Sequence, residues 1–305
     1  MTDESGLILV DKPAGWTSHD VVARTRKIAG TRKVGHAGTL DPMATGLLVI
    51  GFNKATRLLT YIVDTTKTYQ ATIRLGHTTT TDDADGEILQ TRLANAVTKA
   101  DIERAVATHT GVIHQVPSAV SAIKIAGKRA YKRVRDGEEV NIPAREVTIF
   151  RFDIQHIRRA ADGKTIDIDV EVECSAGTYI RALARDIGED LNTGGYLTAL
   201  RRTTVGPYSV AKAATLEQLA EDFTYTDLSE AAQKLFPSRT VTTSEARDLI
   251  HGRRIPATGD PAMHAARLAT GTVIALLRDT ERNGQIEAKP DIVFATLEHL
   301  TGGHS

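Results

Sequence analysis

The stretch KVGHAGTLDPMATGLLVIGFNKATR, residues 33–57, places a single carboxylate, Asp41, among small side chains. Gly35, Gly38 and Gly46 allow the backbone to approach a neighbour closely. Pro42 removes an amide donor and stiffens the turn beside the acid. Residues 31–46 lack clean periodicity and hold three glycines plus Asp41-Pro42, which predicts a loop. Leu47–Gly51 is apolar and predicts a buried strand directly after it. Asp41 would then be held on a rigid element. The plain alternative is that Asp-Pro only starts a turn, and local chemistry leaves both readings open.

Working outward, Gly6–Val10 (GLILV) predicts a buried strand. Ser18 is placed to cap a helix through Ala29, with Val21, Val22 and Ile28 on its apolar face and Gly30 closing it. Residues 67–75 and 119–126 read as strands. Thr98 through His109 reads as a helix, with Thr98 and Asp101 in capping-box spacing. Thr165–Cys174 alternates strictly: Ile166, Ile168, Val170, Val172 and Cys174 on one face, Asp167, Asp169, Glu171 and Glu173 on the other. The acidic face is expected in solvent, repelling phosphates, and Cys174 in the core. Tyr179–Leu191 has helical spacing behind Thr178, a candidate N-cap. Arg181, near its start, could pair with Asp41 and keep it ionised, or be an ordinary surface arginine. Tyr69, at the start of a strand, could pack or stack on a base.

The chain has 305 residues, 41% hydrophobic and 25% charged, values ordinary for a globular protein. That length fits one large domain and a smaller one. No run of about 18 apolar residues predicts a membrane span, and the acidic start Met1-Thr2-Asp3-Glu4 is unlike a signal peptide, so a cytoplasmic location is expected. One cysteine excludes an internal disulfide and multi-thiolate zinc sites. The ten histidines lack metal-ligand spacing. No Walker A loop, GxSxG elbow, HExxH or Rossmann fingerprint occurs, so neither cofactor nor metal is expected.

Lysines and arginines (38) balance aspartates and glutamates (38), yet unevenly. Residues 12–36 hold six Lys/Arg against Asp20, and residues 121–159 hold ten against five acids. Local phosphate-binding surfaces on a neutral protein look like this, and so do solvated faces. A boundary is expected near Phe236-Pro237. Beyond it, residues 272–279 and 285–289 join across Asn283-Gly284, a strong hairpin signal.

VDKPAGWTSHDVV (10–22), residues 33–57, KTYQATIRLG (67–76), GTYIRALARDIG (177–188) and LTALRRTTVGP (197–207) together resemble the bacterial tRNA pseudouridine-55 synthases, the TruB family. QVPSAVSAIKIAGKRAYKRVRDG (115–137) resembles the family's RNA-contacting segment, with Ser118 where a second proline is common. The resemblance implies an α+β pseudouridine synthase fold on a mixed, mostly antiparallel sheet over residues 1–236. It also implies an RNA-contacting insertion at about 121–159 and a small β-rich, PUA-like domain over 237–305. It implies isomerisation of uridine to pseudouridine in the T loop of tRNA, by glycosidic cleavage, base rotation and C1′–C5 bond formation.

By motif position, Asp41 matches the family's nucleophilic aspartate, Arg181 its arginine partner and Tyr69 the tyrosine that stacks on the flipped uracil. Tyr179 and Leu200 match pocket positions, His36 the histidine near the displaced nucleotide, and Lys12-Pro13 a brace under the catalytic loop. Phosphate contacts fall to the basic segments, with Lys124, Lys128, Arg129, Lys132 and Arg133 as a group. The partner implied is the T-arm of tRNA and the enzyme a monomer. Three rivals remain at this point: a guide-dependent pseudouridine synthase, a tRNA-folding chaperone on the same surface, and a glycoside hydrolase. The last would need a second placed carboxyl group, which the motifs do not display.

Overall fold

Two apolar strands begin the molecule's central sheet, and both are apolar for the same reason. Gly6–Lys12 and Thr45–Phe52 pair antiparallel and are covered on both faces. Ile8, Val10, Leu48 and Ile50 meet the helices Ser18–Ile28 and Leu216–Glu221. Leu7, Leu47 and Val49 belong to a second cluster on the opposite side. Alternating polarity would strand a polar side chain in one of these layers, so the sequence is continuously hydrophobic. The computed structural model describes residues 4–118, 124–125, 128–129 and 142–300.

Ten strands form the central sheet. Along its path they run Thr226–Asp227, Gly6–Lys12, Thr45–Phe52, Gly195–Val205, Lys67–Leu75, Ile166–Cys174, Arg145–Arg159 and Gly111–Gln115, with Val34–Ala37 and Tyr208–Ser209 attached beside it. All pairings are antiparallel except Gly195–Val205 with Thr45–Phe52, where Arg201 and Arg202 face Thr45 and Gly46. Helices Lys99–Thr108 and Ile180–Asp190 cover one face of the right-hand strands. Ile180, Leu183, Ala184 and Ile187 are buried there, each larger side chain contributing about 1.5–3 kcal/mol.

A second, five-stranded sheet follows residue 237, around the hairpin of Val273–Arg282 and Gln285–Val293. Its turn is Asn283-Gly284, with φ of 52° and 77°, the left-handed pair that a tight hairpin needs. Ala265, Val273, Leu276 and Phe294 of this sheet share one apolar cluster with Leu58, Ile62, Leu228 and Ala232. Among the described residues, no helix is long and apolar enough to cross a membrane.

Several expectations change. Thr17, not Ser18, caps the first helix, in a reciprocal box with Asp20. Thr178 does not cap the Ile180–Asp190 helix; its hydroxyl donates to Ser175 O (3.0 Å) and Tyr179 occupies the cap position without a side-chain bond. The 31–46 segment includes the strand Val34–Ala37 before its loop. Arg145–Arg159, within the expected insertion, is a fifteen-residue strand of the central sheet. The acidic face of Ile166–Cys174 is not bare: Arg74 bonds Asp167 (2.6 and 2.7 Å), Arg158 bonds Asp169, and Arg151 reaches Glu171 (2.7 Å) and Glu173 (3.7 Å). Cross-strand arginines neutralise it, so it lacks the repulsive character expected for it. Two of the ten cations counted in 121–159 are spent there.

Candidate active site

The loop carrying Asp41 is tied down on both sides of the acid. Leu40 N–H donates to Ser18 Oγ (2.9 Å), and the same hydroxyl donates back to Leu40 O (3.1 Å). Pro42 O accepts from Gly15 N–H (2.8 Å) and from Lys12 Nζ (3.2 Å). Lys12 also donates to Pro13 O (2.9 Å) and Trp16 O (2.7 Å). Its ammonium is fully buried in this ring of carbonyls, and burial lowers its pKa to about 8. Gly46 closes the loop: at φ +97°, a Cβ there would meet Arg202 O at 2.3 Å, so only glycine lets the parallel strands pass.

Arg181 enters from the start of its helix. Its Nε lies 3.0 Å from Asp41 Oδ2, its Nη1 3.2 Å from Asp83 Oδ2, and Nη1 donates to Thr81 O (2.8 Å). Two carboxylates thus share one buried guanidinium. Burial raises the Asp41 pKa, the Arg181 charge opposes that rise, and Asp83 adds to it. The helix start is fixed by Gln115, whose carboxamide bonds both Tyr179 N–H (2.8 Å) and Tyr179 O (3.0 Å).

These groups open onto a cavity of about 430 Å³ lined by Asp41, Tyr69, Tyr179, Arg181 and Leu200, with Lys67, Arg145 and Arg202. Among the described residues, one acid therefore faces four cations and two tyrosines. Tyr69 continues the inward row Lys67, Tyr69, Ala71, Ile73, Leu75, so its ring is the end of the core exposed as a pocket floor. Burial raises its phenol pKa. Lys67 Nζ donates to Val63 O (2.8 Å) and Thr65 O (2.7 Å), and burial lowers its pKa to about 8. Arg202, 1% exposed, donates to Leu47 O (2.8 Å) and Gly38 O (3.1 Å).

The structure brings together Asp41, Arg181, Tyr69, Tyr179 and Leu200, with Lys12 and Pro13 beneath the loop. His36 does not line the cavity; it is half-buried on Val34–Ala37, with its ring 5.9 Å from His19, edge to face. Lys132 and Arg133 lie outside the described residues. Lys124, Lys128 and Arg129 fall in a short two-stranded hairpin, Lys124–Ile125 with Lys128–Arg129, described in its backbone alone. Sequence reasoning missed Lys67, Asp83, Gln115, Arg145 and Arg202. Cys174 is a core residue: fully buried, its thiol pushed up to about 11. A second carboxyl group does exist near Asp41, in Asp83, but Asp83 is 4% exposed and is not on the cavity wall.

Residues 26–180 match the model of the TruB family pseudouridylate synthase N-terminal domain. Residues 181–241 match the tRNA pseudouridylate synthase B C-terminal domain, and residues 236–294 the tRNA pseudouridine synthase II C-terminal model. The chain is 59% identical to the tRNA pseudouridine synthase B of Arthrobacter sp. (strain FB24), covering 98% of this chain and 99% of the relative. It is 54% identical to that of Thermobifida fusca (strain YX), covering 95% and 98%. Among solved structures it resembles a chain of a Cbf5–Nop10–Gar1 complex, at 25% identity and a TM-score of 0.73, over 98% of this chain and 87% of that one. With its motifs gathered around one cavity and its relatives matched end to end, the chain belongs to the TruB family of pseudouridylate synthases.

Proposed function

We propose that the protein converts uridine 55, in the T loop of tRNA, to pseudouridine, with Asp41 as the catalytic carboxylate. The observation that carries this reading is the cavity itself. A lone carboxylate suits attack on, or charge stabilisation at, an electrophilic nucleoside carbon. Two tyrosines offer faces to a base, and four cations suit an anionic strand. Uridine must leave the loop to reach Asp41, which costs a few kcal/mol, offset by phosphate contacts.

The reaction is an isomerisation. The C1′–N1 bond breaks, the uracil turns within the cavity, C1′ bonds to C5, the C5 proton leaves and N1 gains one. Atoms and electrons balance without a co-reactant. Arg181 keeps Asp41 ionised against the pull of burial. Tyr69 stacks on the uracil; burial keeps its phenol protonated, which favours stacking over proton removal. Tyr179 and Leu200 confine the ring. Lys12, Pro13 and Ser18 hold the loop. His36 is assigned to the displaced nucleotide outside the cavity. The basic group Lys124, Lys128, Arg129, Lys132 and Arg133 is assigned to the T-arm backbone.

Residues 1–236 form the catalytic unit in this reading, and 237–305 a PUA-like unit. The enzyme is read as a monomer acting on cytoplasmic tRNA. The tRNA reading is favoured over a guide-dependent one by the identities, 54–59% to tRNA pseudouridine synthases B against 25% to the Cbf5 chain. A hydrolase reading lacks a second carboxyl group among the described residues of the cavity wall. The test is Asp41→Asn: loss of pseudouridine formation with tRNA binding retained is expected, and normal turnover would remove Asp41 from the chemistry.

A further inference from the structure

Trp16 is the chain's single tryptophan, and its side chain is 36% exposed. About a third of this residue's surface is left open to solvent on a short loop. Its carbonyl accepts from Lys12 Nζ, the same ammonium that holds Pro42 O. Trp16 is therefore fastened to the catalytic loop, one residue-link from Asp41. Beside it lies a shallow cavity of about 380 Å³ lined by Gly15, Trp16, Asp20, Ala23, Arg24 and Lys27. Asp20, Ala23, Arg24 and Lys27 follow helical spacing and share one face of Ser18–Ile28.

Two cations outnumber the single acid on this face. Arg24 and Lys27 are exposed and make no ion pair with any described residue. Asp20 accepts from Thr17 N–H (2.9 Å) and the Thr17 hydroxyl (2.6 Å) in the capping box, so its charge is engaged by the helix end. An aromatic plane flanked by free cations matches the composition of a single-stranded nucleic-acid site. There is also a reason for such a site here. Extracting one nucleotide leaves its neighbours without a stacking partner, and an indole on the segment whose Gly15 N–H bonds Pro42 O (2.8 Å), next to Asp41, supplies one.

We propose that Trp16, Arg24 and Lys27 form a second nucleotide subsite, in which a base flanking the reacting uridine stacks on the indole while the two cations take the adjoining phosphates. This deepens the tRNA reading above and rests on it. The occupant is RNA, by charge complementarity and by the hydrogen bonds of Gly15 and Lys12 to Pro42 O that join this segment to the loop of Asp41.

The single tryptophan makes the test direct. Wild-type protein is titrated with a T-arm stem-loop RNA while indole emission is followed. Emission is expected to change with the same dissociation constant as binding measured by anisotropy of labelled RNA. Trp16→Ala is expected to raise KM about tenfold, with kcat unchanged, and Trp16→Phe to recover most of that loss. Arg24→Gln and Lys27→Gln are each expected to lower the slope of log KM against log salt by about 0.7–0.9. If Trp16→Ala fails to fold, the wild-type titration and the other three variants decide. Unchanged emission at saturating RNA, or unaltered KM and salt slopes in a protein that makes pseudouridine, overturns the subsite alone. Absence of pseudouridine formation by the wild type overturns the functional reading beneath it.

Discussion

Two regions of the catalytic unit, a strand face and a loop–helix junction, use the same residue types to opposite ends. On Ile166–Cys174, each acid along the outer face has an arginine within reach: Arg74 for Asp167, Arg158 for Asp169, Arg151 for Glu171 and Glu173. These pairs are half in water. A short distance away, Asp41 and Asp83 divide one guanidinium, that of Arg181, whose side chain is 6% exposed. The first arrangement satisfies every charge and leaves nothing reactive. The second leaves a buried carboxylate only partly compensated and facing a cavity. Perturbed, under-compensated groups mark functional sites, and here the contrast lies between a strand face and the loops and helix that hold Asp41, Asp83 and Arg181.

Removing Asp41 tests the difference hardest. Asp41→Asn should reduce turnover below detection. Because the folded state raises the Asp41 pKa, its ionised form costs the fold stability at neutral pH, and that cost vanishes as pH falls through the folded pKa. Asp41→Asn should therefore melt at or above the wild-type temperature at pH 7. A clear drop in its melting temperature would mean Asp41 is a structural residue like the acids of the ladder.

Arg181→Ala comes next. It leaves Asp83 buried without its cation, a loss of about 3–5 kcal/mol, read by denaturant unfolding. The same change should move the acidic limb of the kcat/KM profile upward. In the wild type that limb lies above the ordinary aspartate pKa of 3.8, since the carboxylate is the working form and is lost on protonation. Without Arg181 only the weaker influence of the Lys12 charge opposes burial, so the limb rises further. An unmoved limb would deny the pair its electrostatic role.

Lys12→Met probes positioning. It empties the ring of carbonyls that fixes Pro42, and a displacement of Asp41 by about 1 Å costs on the order of 100-fold in kcat, with KM little changed. An equal loss in stability and no loss in kcat would make Lys12 purely structural. Smallest of all is Arg74→Ala on the ladder. Its side chain is 37% exposed, so screening leaves an effect under about 1 kcal/mol, shrinking further in high salt, with activity unaltered. A loss as large as that of Arg181→Ala would erase the distinction between the two regions.

The sequence displayed part of this contrast. Continuous apolarity in 6–10 and 47–51 pointed to buried strands, and the alternation of 166–174 to one with a solvent-facing side. Asp41, Arg181, Tyr69 and Leu200 were legible through ordered motifs. Arg202 was not, because a β-bulge between Leu197 and Ala199 shifts the strand's facing: Leu200 and Arg202 turn inward where strict alternation from Leu197 would turn them out. Lys67 was hidden because a lysine opening a strand reads as exposed, whereas its ammonium is folded back onto Val63 O and Thr65 O. Asp83 sat in the polar run TTTTDDADG, whose composition reads as a turn. Nor did the acidic face betray its partners: Arg74 reaches it from a strand distant in sequence, and the facing of Arg151 and Arg158 on the neighbouring strand is shifted by bulges between Ile149 and Arg151 and between Ile154 and His156.

The most direct measurement supplies purified protein with an unmodified tRNA transcript and nothing else, then maps pseudouridine at nucleotide resolution. Pseudouridine at position 55, and no free uracil, is the expected result. An unmodified T loop, a requirement for a guide RNA, or release of uracil would contradict the account.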